Sequence, residues 1–142
     1  MNNDFIVTAK DGYPLAAIKY SAKKPKANII LAGATGVPQA FYRRFSEYVV
    51  TQGYNVITFD YRGIGRSKPT DFKNFDSNFL EWATLDLAAV VDIVADDLPL
   101  LWWVIHSVDM PLVYYRIIIR LSVFIYLVQV QAGMVICQKL KQ

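Results

Sequence analysis

Between Asp60 and Ser67 a carboxylate, a guanidinium and a hydroxyl are gathered in one short stretch, Asp60-Tyr61-Arg62-Gly63-Ile64-Gly65-Arg66-Ser67. Gly63 and Gly65, one residue apart, allow backbone conformations that a side chain would forbid, so the chain can turn sharply there. The stretch follows Tyr54-Asn55-Val56-Ile57-Thr58-Phe59, an apolar run of strand length. An ordinary turn would leave the fixed offsets of the Asp, Arg and Ser unexplained. Other reactive groups are scarce. Cys137 is the single cysteine, which excludes an internal disulfide and a cysteine-based metal cluster and suits a reducing compartment. His106 is the single histidine, and all twelve acidic residues lie at or before Asp109.

The elements that would position this loop can be read in order. Phe5-Ile6-Val7-Thr8 and Pro14 to Tyr20 are β-prone and flank the turn signal Asp11-Gly12, giving an antiparallel hairpin. Ala27-Asn28-Ile29-Ile30-Leu31-Ala32 suits a strand covered on both faces. It ends in Gly33-Ala34-Thr35-Gly36, and Val37-Pro38 lead into a helix whose apolar face would be Phe41, Phe45, Tyr48 and Val49. Arg43, Arg44 and Glu47 fall on its other faces, and Gly53 ends it as a C-terminal cap.

After the Asp60–Ser67 loop, residues 68–78 read as a surface loop. A second helix is predicted from about Asn78 to Asp96, with Asp76 or Ser77 as cap and Leu80, Thr84, Leu87, Val91 and Val94 facing inward. Pro99 to Ile105 is a further buried strand. Hairpin, strand, helix, strand, helix, strand argues for an α/β domain with a mostly parallel sheet.

At 142 residues the chain is long enough for one domain with a core. Its net charge of +3 is mild and scattered, which implies neither nucleic-acid binding nor strong attraction to acidic membranes. Met1-Asn2-Asn3-Asp4 lacks the regions of a signal peptide, so a cytoplasmic location is expected.

The Asp60–Ser67 loop after its core strand, supported by the Gly33–Gly36 loop, resembles the α/β-hydrolase family. The resemblance covers residues 1–103, the N-terminal half of that fold. It implies hydrolysis of an ester, thioester or amide in a small acyl substrate through an acyl-serine intermediate, without metal or cofactor. It also implies an oxyanion hole built partly from the loop after the third strand, where Ala34 is the matching donor between Gly33 and Gly36. Asp60, Arg62, Gly63, Gly65 and Ser67 match the family's loop after the fourth strand. Ser107 matches the nucleophile.

The match then breaks. The family flanks its nucleophile with glycines on a tight turn, whereas Ile105 and Asp109 stand here. The family supplies Ser, then Asp or Glu, then His along the chain, but from Met110 onward this sequence has no Asp, Glu or His. His106, adjacent to Ser107, would point away in a strand-like turn. A serine without a base is a weak nucleophile, so the chain is expected to be inactive.

A second reading frame restores the pattern. For codons beginning at the third base of those used here, Trp102–Trp103 forces Val, Trp103–Val104 forces Gly and Met110–Pro111 forces Ala. The intervening pairs allow His, Ser, Leu, Gly, Gly and His. The compatible peptide, Val-Gly-His-Ser-Leu-Gly-Gly-His-Ala, looks like the family's glycine-flanked elbow. A one-base frameshift between about codons 98 and 103 therefore accounts for the sequence, with 104–142 as out-of-frame translation.

Taken at face value, the tail has a rival meaning. Ile117 to Cys137 is about the length that crosses a bilayer, interrupted by Arg120, Gln129 and Gln131 and flanked by Lys139 and Lys141. The alternative is thus a small non-enzymatic protein attached to a membrane through 117–137. The tail's Ile, Val, Tyr and Phe also suit a β-rich segment. An apolar fifth strand left open is expected to promote self-association.

Overall fold

A computed structural model describes residues 2–94, 98–104, 126–131 and 134–139. Five strands form one sheet: β1 (Asn2–Thr8), β2 (Pro14–Tyr20), β3 (Asn28–Ala32), β4 (Asn55–Phe59) and β5 (Leu100–Val104). Their spatial order is β1-β2-β4-β3-β5. β1 with β2 and β2 with β4 are antiparallel, while β3 is parallel to both β4 and β5. The fold class read from the sequence is the one observed.

The strand order explains where the helices lie. From β3 the chain steps one way to β4, then returns past β3 to β5. Right-handed crossovers in opposite directions put their helices on opposite faces of a sheet. The core is divided accordingly. Ile30 and Ala32 of β3 and Ile57 and Phe59 of β4 pack with Leu87, Val90, Val91 and Val94 of the second helix. Ile29 and Leu31 of β3 and Val56 of β4 pack with Tyr42 and Val49 on the other face. Alternate residues along each strand thus feed different cores. At the N-terminal ends of the two strands, the Asn55 side-chain amide donates to Asn28 Oδ1 at 2.9 Å.

Both helices depart from the expected faces. The first opens with a 3₁₀ turn, Gln39–Tyr42, before α1 (Arg43–Thr51). The tighter turn rotates the face, so Tyr42, Ser46 and Val49 are buried while Phe41 and Tyr48 are exposed. Gly53 ends α1 as read, at φ +87°, with its N–H donated to Val50 O at 3.0 Å.

The second helix consists of Phe79–Glu81, a π-helical Trp82–Leu87 and Ala88–Val94. The wider π stretch brings Trp82, Ala83 and Asp86 inward with Leu87, Val90, Val91 and Val94, and leaves Leu80 exposed. Its cap is Asn78, not Asp76 or Ser77. Asn78 Oδ1 accepts the Glu81 N–H at 3.1 Å, and Glu81 Oε2 accepts the Asn78 N–H at 3.2 Å. Ser77 instead accepts from the Trp82 indole at 3.2 Å.

Beyond the sheet, β6 (Tyr126–Gln131) and β7 (Met134–Lys139) form a separate antiparallel pair. Where it is described, the 117–137 segment is therefore strand rather than helix. Among the described residues no helix is long and apolar enough to cross a membrane.

Candidate active site

The Asp60–Ser67 loop begins where β4 leaves the sheet, and the side chains of Asp60, Arg62 and Ser67 each have defined partners. Asp60 Oδ1 accepts the Gln39 backbone N–H at 2.7 Å. Its Oδ2 accepts the Gln39 side-chain amide at 3.0 Å and the Arg66 N–H at 3.0 Å. The carboxylate thus ties the start of the 3₁₀ turn to its own loop. Gly65 lies against it at φ +48°, and a Cβ there would stand 2.5 Å from the carboxylate. Glycine is required on both counts.

Ser67 is structural as well. Its hydroxyl donates to Asp60 O at 2.7 Å and accepts the Ala16 N–H at 2.8 Å, which stitches the loop to β2. The Tyr13 hydroxyl donates to Ser67 O at 2.6 Å. Gly63, at φ +78°, lies under Phe75, whose Cε1 would be 2.7 Å from a Cβ.

Arg62 links three elements. Its backbone N–H donates to Asp86 Oδ2 at 2.9 Å and its Nε to Asp86 Oδ1 at 2.8 Å. The far side of the guanidinium donates to Asp11 Oδ2 at 2.7 Å. The guanidinium also lies 5.0 Å from the centre of the Tyr13 ring. Burial opposes its charge, but the two carboxylates prevail and raise its pKa above the ordinary arginine value. Burial pushes the Asp86 carboxyl up despite Arg62, while the Arg62 hydrogen bond pulls the more open Asp11 down. Asp60, Arg62 and Ser67 are all committed to holding the loop. This turn is scaffold for a site rather than its reacting centre.

The Gly33–Gly36 loop follows β3 at the same sheet edge as the Asp60–Ser67 loop, since β3 and β4 are parallel neighbours. Gly33 faces the Tyr42 ring, with Cε2 2.8 Å from where a Cβ would be. Gly36 adopts φ +76°, and the Val37 N–H closes the turn on Ala34 O at 3.0 Å. The Ala34 N–H donates to the Tyr42 hydroxyl oxygen at 3.0 Å. Ser107, with His106 and Asp109, lies outside the described residues, which reach Val104 at the end of β5. Among the described residues no group of three or more His, Cys, Asp and Glu side chains could hold a metal ion.

Sequence reasoning missed Gln39, Asp86, Asp11 and Tyr13, the partners that fix the loop. Asp86 stands one residue before Leu87, off the face expected to point inward, so nothing local marked it.

This architecture is found in solved structures. DcsB in complex with its substrate analogue matches with a TM-score of 0.62 at 21% identity, over 74% of this chain and 37% of that one. A carboxyl esterase from Bacillus coagulans, in complex with glycerol, matches with a TM-score of 0.61 at 20% identity, over 71% of this chain and 35% of that one. A soluble variant of monoglyceride lipase from Saccharomyces cerevisiae, in complex with a substrate analog, matches with a TM-score of 0.58 at 21% identity, over 75% and 34%. No family model and no curated protein matches the chain. Its five-stranded sheet has the fold of the N-terminal portion of an α/β-hydrolase. The chain spans little more than a third of the length of these structures.

Proposed function

We propose that residues 1–103 are the N-terminal half of a cytoplasmic serine hydrolase acting on an ester, thioester or amide of a small acyl compound. In this reading the frame changes between about codons 98 and 103, Ser107 stands where the nucleophile would be, and the chain is catalytically silent. The observation that carries the proposal is β5, paired in parallel with β3 and ending at Val104. The C-terminal end of β5 lies at the edge from which the Gly33–Gly36 and Asp60–Ser67 loops leave β3 and β4. The second frame supplies a glycine-flanked serine for that place. The neighbours described as a lipase and a carboxyl esterase support the reaction class.

Residues 110–142 contain no Asp, Glu or His, so this stretch offers Ser107 no relay to remove its proton. Nucleotide sequencing of codons 95–142, translated in both frames, tests the proposal. The expected result is an open second frame that encodes the elbow and later an Asp or Glu and a His. An immediate stop codon there would overturn it. Restoring that frame should also give measurable hydrolysis of a short-chain aryl ester, which this chain should lack.

A further inference from the structure

Tyr42 is 5% exposed, and its ring is packed with Ile29, Leu31, Val49 and Val56 beneath the sheet. Its hydroxyl oxygen accepts the Ala34 N–H. A phenol also has a proton to donate, and among the described residues nothing accepts it. The hydroxyl is thus partnered as an acceptor, and its own proton remains available for a ligand oxygen. This donor stands at the C-terminal end of β3, the end at which parallel strands of α/β sheets bind ligands. The Ala34 N–H is already engaged, so a ligand oxygen would have to displace Tyr42 to reach it. Phe41, 77% exposed and edge-on to the Tyr42 ring at 5.3 Å, places an apolar surface beside this polar group.

We propose that the Tyr42 hydroxyl, rather than the Ala34 N–H, is the donor that this loop offers to the carbonyl or carboxylate oxygen of an acyl ligand. The Ala34 amide fixes the phenol oxygen and, by donating to it, polarises the O–H toward the ligand. Phe41 meets the acyl chain. The ligand class rests on the hydrolase reading above, but the inference concerns binding and needs no turnover.

The test is titration of the complete, isotopically labelled 142-residue chain with octanoate, followed by nuclear magnetic resonance. The expected result is a saturable shift of the Ala34 amide and a cross-relaxation contact between the octanoate α-methylene and the Tyr42 ring. Tyr42→Phe should bind about tenfold more weakly, the scale of one hydrogen bond to a charged group, with amide exchange in β3 and β4 unchanged. Equal affinity in Tyr42→Phe, or no saturable response at Ala34, would overturn the proposal. Should the variant fail to fold, the contact in the unsubstituted chain decides, and its absence is fatal. A stop codon in the second frame would remove the hydrolase reading and leave the octanoate result standing. Equal binding by Tyr42→Phe would do the reverse.

Discussion

Arg62 and Asp86 form a two-point pair in the interior, with Nη2 2.7 Å and Nε 2.8 Å from the same Oδ1. Arg62 is 5% exposed and Asp86 is wholly buried. The pair joins the Asp60–Ser67 loop to the π-helical stretch of the second helix. Removing one partner leaves a buried charge alone, which typically costs about 3–5 kcal/mol. We therefore expect Asp86→Leu and Arg62→Met each to lower the denaturation midpoint sharply. Arg62→Lys should also fail, because an ammonium lacks the planar fork that reaches both carboxylates. Arg62→Met combined with Asp86→Leu should lose less than the two single changes added together. Urea unfolding of the four variants checks this.

The two glycines at Gly12 and Gly65 should respond differently to alanine. Both adopt positive φ, but Gly12 has open space around its missing Cβ, whereas Gly65 lies against the Asp60 carboxylate. Gly12→Ala should cost about 1 kcal/mol, from backbone strain alone. Gly65→Ala must also displace Asp60 and should cost more. Equal losses in thermal unfolding would contradict the close approach.

Ser67→Ala removes the acceptor of the Ala16 N–H and the donor to Asp60 O. Both groups are buried, so a loss of about 1–3 kcal/mol is expected. Hydrogen exchange gives a local signature. The Ala16 amide should lose protection ahead of the amides of β3.

Asn78→Ala removes the side-chain half of the capping box, in which Asn78 Oδ1 accepts the Glu81 N–H, and leaves the Asn78 backbone N–H free to keep donating to Glu81. A loss of about 1 kcal/mol is expected, with Asn78→Ser close to neutral. Substituting Asp76 should have little effect.

Acid titration separates the two carboxylates around Arg62. Asp11 is held below its ordinary value of 3.8 by the Arg62 hydrogen bond. Its contribution is present above that value and is lost as pH falls through the lower folded value. Asp86, raised by burial, has the opposite sign: its contribution is present below the ordinary value and is lost as pH rises through the higher folded one. Asp11→Asn should therefore flatten the acid limb of the stability profile. Salt should reduce the difference, since the Asp11 side chain is 38% exposed. An unchanged acid limb would count against the pairing.

Strands and turns were the legible part of this sequence because their signals are local. Asp11-Gly12 announces the hairpin, and Ile29-Ile30-Leu31 announces a strand covered on both faces. The glycines at Gly33, Gly36, Gly63 and Gly65 mark both loops at the sheet edge. What the Asp60–Ser67 residues do was not legible. Their partners Ala16, Gln39 and Asp86 are distant in the chain and reach the loop only through the tertiary arrangement. Helix faces were misread where the pitch changes. A 3₁₀ turn buries Tyr42 instead of Phe41, and a π stretch brings Asp86 inward while leaving Leu80 outside. Neither change of pitch has a local sequence mark.

The strand order also has a consequence for synthesis. Every pairing among β1, β2, β3 and β4 uses residues before Asp60, and within the five-stranded sheet only β5 arrives later. Domains begin to fold as the chain leaves the ribosome, N-terminal parts first. The residues of a four-stranded sheet are all encoded well before codon 98. The change of frame proposed above would fall after all four of these strands. If that proposal holds, the product should meet the cell's proteases with a protected N-terminal sheet, and its degradation should begin from the C-terminal side.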